Sequence, residues 1–228
     1  MTTMEIIKTP GVPIVLAIYC SVTLVALANT AVAPVFWFTS PALGGCGLSP
    51  IQISLFLSVA GLSQSFWTLI VFPPLQHRIG TGGILRATTT IWPCLFALNP
   101  GLSELQRHNH ATTFWVIGMV SMFFGSGVAQ AFTGVQLALN DISPTPAALG
   151  TFNAIALTCT SGIRAVIPAL FSSLFAAGAR SQALDGYLIW VILIVITVAT
   201  AAQTYYLPAK AEGKIKKRAE EDRTADDE

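Results

Sequence analysis

Long apolar runs separated by short, turn-rich links set the pattern of this chain. A helix of about 20 apolar residues spans a hydrocarbon layer roughly 30 Å thick. Six runs qualify, at approximately 12–38, 51–75, 83–98, 113–139, 147–177 and 187–207, with the third the shortest. The links SPALGGCGLSP, QHRIGTG, NPGLSELQRHNHA, NDISPTP and GARSQALDG concentrate Gly, Pro, Ser, Asn and Asp, the residues that favour turns. The pattern predicts an all-α membrane protein with six transmembrane helices in residues 1–208 and a solvated, disordered tail over 209–228. The first run is too long for the core of a cleaved signal peptide and lacks a charged lead beyond Lys8.

Polar positions inside these runs fall on faces. At about 100° per residue, Ser54, Ser58, Gly61, Ser65 and Thr68 of the second run lie within an arc of about 60°. Small residues in a stripe let helix backbones approach closely in lipid, either within one bundle or against a separate domain. In the fourth run Ser126, Gln130, Thr133, Gln136 and Asn140 share an arc of about 120°. That face is too polar for lipid and predicts a water-filled cavity, with interhelical hydrogen bonding as the simpler alternative. The first run adds Asn29 and Thr30 ahead of Pro34. On the fifth run Asn153, Thr160, Ser161, Arg164 and Pro168 share one side. An arginine near mid-membrane is costly and needs a partner, yet no carboxylate lies in the middle of any run. Its partner is then backbone and water, an anionic solute, or an acid on another chain.

Composition supports the membrane reading: 53% of residues are aliphatic or aromatic and 10% are charged, against about 25% charged in a soluble domain. The formal charge of +1 hides an uneven distribution. With both termini cytoplasmic, Lys8, Arg78, Arg86 and six basic residues of the tail lie inside, and Arg107 and Arg180 lie outside. This is a positive-inside bias. The four cysteines are scattered, unlike a disulfide framework or a metal cluster. His77, His108 and His110 all lie in links, which removes an intramembrane Ser/His dyad. His108, His110 and Glu104 could touch a metal, but a solvated loop accounts for them. No phosphate-binding G-x-x-x-x-G-K-[ST] sequence occurs, and nothing calls for a cofactor, an enzymatic reaction or nucleic acid.

The link FPPLQHRIGTGGILR resembles the short cytoplasmic loop G-x-x-x-D-R-x-G-R-K of the major facilitator superfamily. Arg78 and Gly80 match it; Pro73 replaces the first glycine, His77 the aspartate, and Thr81 and Gly82 the basic pair. GGCGLSPIQISLFLSVAGLSQSFW, LNDISPTPAALGTFNAIA and SGIRAVIPALFSSLFA are similar to the carboxyl-terminal half of fungal facilitators of the drug:proton antiporter type. The resemblance covers about residues 12–207. It implies two inverted three-helix repeats, with the first and fourth helices on a central cavity, the second and fifth against a second six-helix half, and the third and sixth toward lipid. It also implies alternating-access transport of a small solute. Candidate solute contacts are Asn29, Gln130, Thr133, Gln136 and Arg164; Arg78 and Gly80 would form a gating loop, and the Ser54 to Thr68 stripe would pack on the other half. The alternative is a non-transporting membrane subunit, or a truncated product, that associates with another membrane protein.

Overall fold

The computed structural model describes residues 9–142 and 149–213, which form seven α-helices and no strand. The helices are α1 Val12–Phe38, α2 Pro50–Phe66, α3 Phe72–Arg107, α4 Ala111–Val128, α5 Gln130–Ile142, α6 Leu149–Ser181 and α7 Leu188–Thr204. A π-helical stretch, Trp67–Val71, joins α2 to α3. By length and composition, four continuous stretches can cross a membrane: Val12–Phe38, Pro50–Arg107, Ala111–Ile142 and Leu149–Ser181. Leu188–Thr204 is a shorter apolar helix.

Two links behave differently from their turn-rich appearance. QHRIGTG is helical except at Gly80, whose φ of 74° and ψ of 168° bend the chain between two helical stretches. A side chain at that φ would be strained, which accounts physically for a glycine two residues after Arg78. NPGLSELQR continues α3, so the third segment is much longer than 83–98. Pro100 removes one helical N–H, but the Asn99 side-chain amide donates to the carbonyls of Leu95 and Phe96, both at 3.4 Å. Burial of Leu102 and Ser103 then fixes the last turns. The fourth segment is divided in the opposite sense, with Ala129 separating α4 from α5. NDISPTP lies largely outside the described residues.

α1 sits at the centre, packed most extensively on α6 and also on α5; α3 packs on α7, and α2 on α4. Near the end of α1, Phe36 meets Trp190 edge-on at 4.9 Å and Phe175 at 6.5 Å, while Trp37 tilts against Phe56 at 5.5 Å. α2 begins with a capping box: Ser49 Oγ accepts from Gln52 N, and Ser49 N donates to Gln52 Oε1 at 2.8 Å. The link before it folds back on α1. Cys46 N donates to Phe36 O, Leu48 N to Trp37 O and Gly47 N to Thr39 O, satisfying carbonyls that a helix end otherwise leaves orphaned.

Order extends beyond residue 209, where the sequence pattern predicts the tail. Ala209–Glu212 forms a 3-10 turn with Ala211 fully buried. The Arg86 guanidinium holds it, pairing with Glu212 at 2.5 Å and donating to Thr204 O at 3.3 Å. The tail beyond residue 213 lies outside the described residues.

Candidate functional site

α1 to α4 line a half-open cavity of about 590 Å³. Asn29, Thr30, Pro34 and Trp37 line it from α1, Gly61 and Gln64 from α2, Trp92 and Asn99 from α3, and Ser121, Gly125 and Ser126 from α4. Pro34 and the glycines thin the walls, and Trp37 and Trp92 form aromatic boundaries. Of the predicted solute contacts, Asn29 lines this cavity. Asn29 has no hydrogen-bond partner among the described residues.

The polar face of the fourth segment divides. Ser126 Oγ donates across to Ala60 O of α2 at 3.0 Å, as well as to Met122 O of its own helix. Gln130 is buried; its Nε2 donates to Thr68 Oγ1 at 3.0 Å, and its Oε1 accepts from Thr133 Oγ1 at 3.4 Å. These contacts fix α4 and α5 to the α2 side of the bundle. Gln136 and Asn140 are exposed. An apolar substitution should therefore act differently at the two glutamines. Gln130→Leu leaves Thr68 without its interhelical donor and is expected to lower the melting temperature of the purified chain by a few degrees, about 1 kcal/mol. Gln136→Leu is expected to leave it within one degree. Equal shifts in a thermal melt would contradict this division.

Ser54, Ser58, Gly61 and Ser65 lie exposed along α2, and each serine hydroxyl donates to a carbonyl of its own helix. Thr68 alone of the stripe turns inward, to Gln130. A Cβ added at Gly61 would meet nothing within 4 Å. Arg164 is exposed on α6, beside exposed Ser161 and Val166, with no hydrogen bond or ion pair among the described residues. Arg78 is exposed at the bend made by Gly80.

Sequence reasoning missed Gln64, Asn99, Trp37 and Trp92 as cavity residues. Gln64 lies in the second run but off its small-residue stripe, and Asn99 falls in a stretch that reads as a turn. A polar amide on a long apolar helix is the signal that could have found both. The sequence also presents Glu104 as a solvated loop residue. It accepts from Arg107 at 3.0 Å and from Tyr187 Oη at 2.6 Å, tying the end of α3 to the start of α7.

Comparison with known proteins places this arrangement. The chain is 42% identical to an efflux pump, azaK, of Aspergillus niger over 211 residues, which is 92% of this chain and 45% of the pump. It is 24% identical to a major facilitator-type transporter, psiT2, of Psilocybe cubensis, over 84% of this chain and 38% of that protein. The chain belongs to the major facilitator superfamily. A probable peptide/nitrate transporter of Arabidopsis thaliana is 23% identical over 74% of the chain and 34% of its own length. This facilitator chain thus spans less than half the length of the curated relatives it matches. No family model matches it, and no solved structure does. It is an integral, multi-pass membrane protein, and its relatives are named as pumps and transporters.

Proposed function

We propose that this chain is the carboxyl-terminal six-helix half of a secondary-active transporter that moves a small solute by alternating access. The observation carrying the reading is 42% identity to an efflux pump across 92% of the chain. Helix length supports a reading of six crossings. Pro50–Arg107 has 58 residues and, if straight, would reach roughly 87 Å, nearly three hydrocarbon layers. The bend at Gly80 makes it two crossings; α4 with α5 is one, and α7 is the sixth. In this reading the halves are two inverted three-helix repeats, and both termini are cytoplasmic. The exposed Ser54 to Ser65 face and Arg164 meet the complementary half, while Asn29, Gln130, Thr133, Gln136 and Arg164 serve the solute path. Arg78 and Gly80 form the gating loop, and the protein carries out no covalent chemistry.

Orientation is tested by cysteine labelling in a background whose Cys20, Cys94 and Cys159 are serine. Cys46 can stay. It is 2% exposed, and burial pushes its thiol up to about 12, so almost no thiolate exists at neutral pH. His108→Cys should react with an impermeant maleimide on intact cells, and His77→Cys only after permeabilisation. The reverse pattern overturns the topology.

Transport is tested by co-expressing the chain with the part of the Aspergillus niger pump that it does not cover, in yeast lacking its own efflux pumps. The pair should lower accumulation of a panel of small aromatic dyes, and the chain alone should not. Co-purification without any efflux would instead establish a non-transporting subunit.

A further inference from the structure

The four cysteines are scattered in sequence, yet the fold brings two of them together. Cys20 of α1 and Cys159 of α6 lie thiol to thiol, close enough to share a hydrogen bond. α6 is the helix on which α1 packs most extensively. Phe36 meets Phe175 at the same interval further along both helices, so the two contacts belong to one parallel register. Both cysteines are free, with Cys20 half-buried and Cys159 exposed. At about 100° per residue, Cys159 lies well around α6 from Arg164, away from the face given to a second half. We propose that Cys20 and Cys159 form a dithiol site that captures trivalent arsenicals by bridging α1 to α6. The site stands apart from the transport reading and does not depend on it.

The donor set selects the ligand. Two sulfurs suit a soft, thiol-seeking centre that needs two bonds. They are too few for structural zinc, which takes four ligands, and among the described residues no group of three or more His, Cys, Asp or Glu gathers to hold a metal ion. A univalent soft cation held by two thiolates would leave a net negative charge at membrane depth, which hydrocarbon penalises. A trivalent arsenical of the type R–As=O avoids that charge. Its arsenic gives up the oxygen and bonds both sulfurs, and the two thiol protons leave with that oxygen as water. The product is neutral and the arsenic stays trivalent, so no oxidant or reductant takes part. Cys159, being exposed, is the first thiol to react, and Cys20 then closes the bridge. A neighbouring group of this kind acts at an effective concentration on the order of millimolar or above. A dilute monothiol therefore cannot reopen the bridge, whereas a free dithiol, which chelates arsenic itself, can.

The test follows that difference. The full chain in nanodiscs is treated with equimolar phenylarsine oxide and weighed by intact-mass spectrometry. One arsenical per chain should be bound with loss of one water. The adduct should survive about 0.1 mM 2-mercaptoethanol, well below the effective concentration of the second thiol, and be released by 1,2-ethanedithiol at the same concentration. Cys20→Ser and Cys159→Ser should each lower the arsenical retained in the monothiol at least tenfold. Cys94→Ser, which removes another exposed thiol, should leave it unchanged. Melting temperatures of the untreated proteins report that each variant is folded, and Cys159→Ser, altering an exposed position, carries the test if Cys20→Ser is unstable. A wild-type chain with no monothiol-resistant adduct overturns the proposal. So does an adduct that persists in Cys159→Ser or is lost in Cys94→Ser.

Discussion

Gly45→Ala is expected to lower the melting temperature of the purified chain by roughly 5–10 °C, as measured by fluorescence-detected size exclusion after heating. A Cβ at Gly45 would stand 2.2 Å from Thr39 O, a backbone atom that cannot swing aside. The same carbonyl already accepts from Gly47 N at 2.7 Å, and Gly45 O itself accepts from the fully buried Ser103 at 2.7 Å. Relieving the overlap means lifting the link from the end of α1 and breaking its contact with α3. Overpacking of this kind costs about 1–3 kcal/mol, and the upper end applies when the obstacle is backbone. Gly101→Ala is the control with opposite sign. Its Cβ would meet nothing within 4 Å, and alanine favours the helix by about 0.5–1 kcal/mol. A Gly45→Ala protein as stable as Gly101→Ala would mean that the link is not held as described.

Much of the helical layout was legible because lipid leaves few choices. A chain crossing hydrocarbon must satisfy its backbone internally, so a long apolar run reads as helix with little competition. The run at 12–38 is one helix of that extent, and burial surrounds it because it lies at the centre of the packing. The errors fall where turn chemistry and burial disagree. Asn99, Pro100 and Gly101 form a turn signal in water, yet Leu102 and Ser103 are buried and hold the helix onward. At Gly80 the reverse holds, since one glycine in the left-handed region does the work expected of a seven-residue loop.

The site was less legible because helical periodicity assigns a residue to a face but not to a neighbour. Gln130 and Gln136 belong to one arc in sequence. The break at Ala129 and the donor from Gln130 to Thr68 put the first against the π-helical stretch that follows α2, while the second faces outward. The cavity amides Asn29, Gln64 and Asn99 come from three helices, and no single run shows their convergence. Glu212 and Arg86 are 126 positions apart, which is why an ordered turn was invisible in a charged tail.

Arg164→Gln in the co-expressed pair is expected to reduce efflux tenfold or more, while Arg164→Lys retains part of it. The chain gives this guanidinium no anion among the described residues, and the exposed face of α6 leaves it open to a partner in trans. A permanent charge at membrane depth needs compensation, which the complementary half or an anionic group on the transport path would supply. Lysine keeps the charge but loses the planar fork that binds a carboxylate through two parallel hydrogen bonds, so partial retention is the signature of a charge pair. Glutamine keeps hydrogen bonding without charge and leaves the acid on the other side unpaired, the more damaging change. Arg164→Leu gives the sharpest contrast. If it stabilises the isolated chain and leaves efflux by the pair unchanged, backbone and water suffice to hold the arginine, and its role in joining the halves or meeting the solute is excluded.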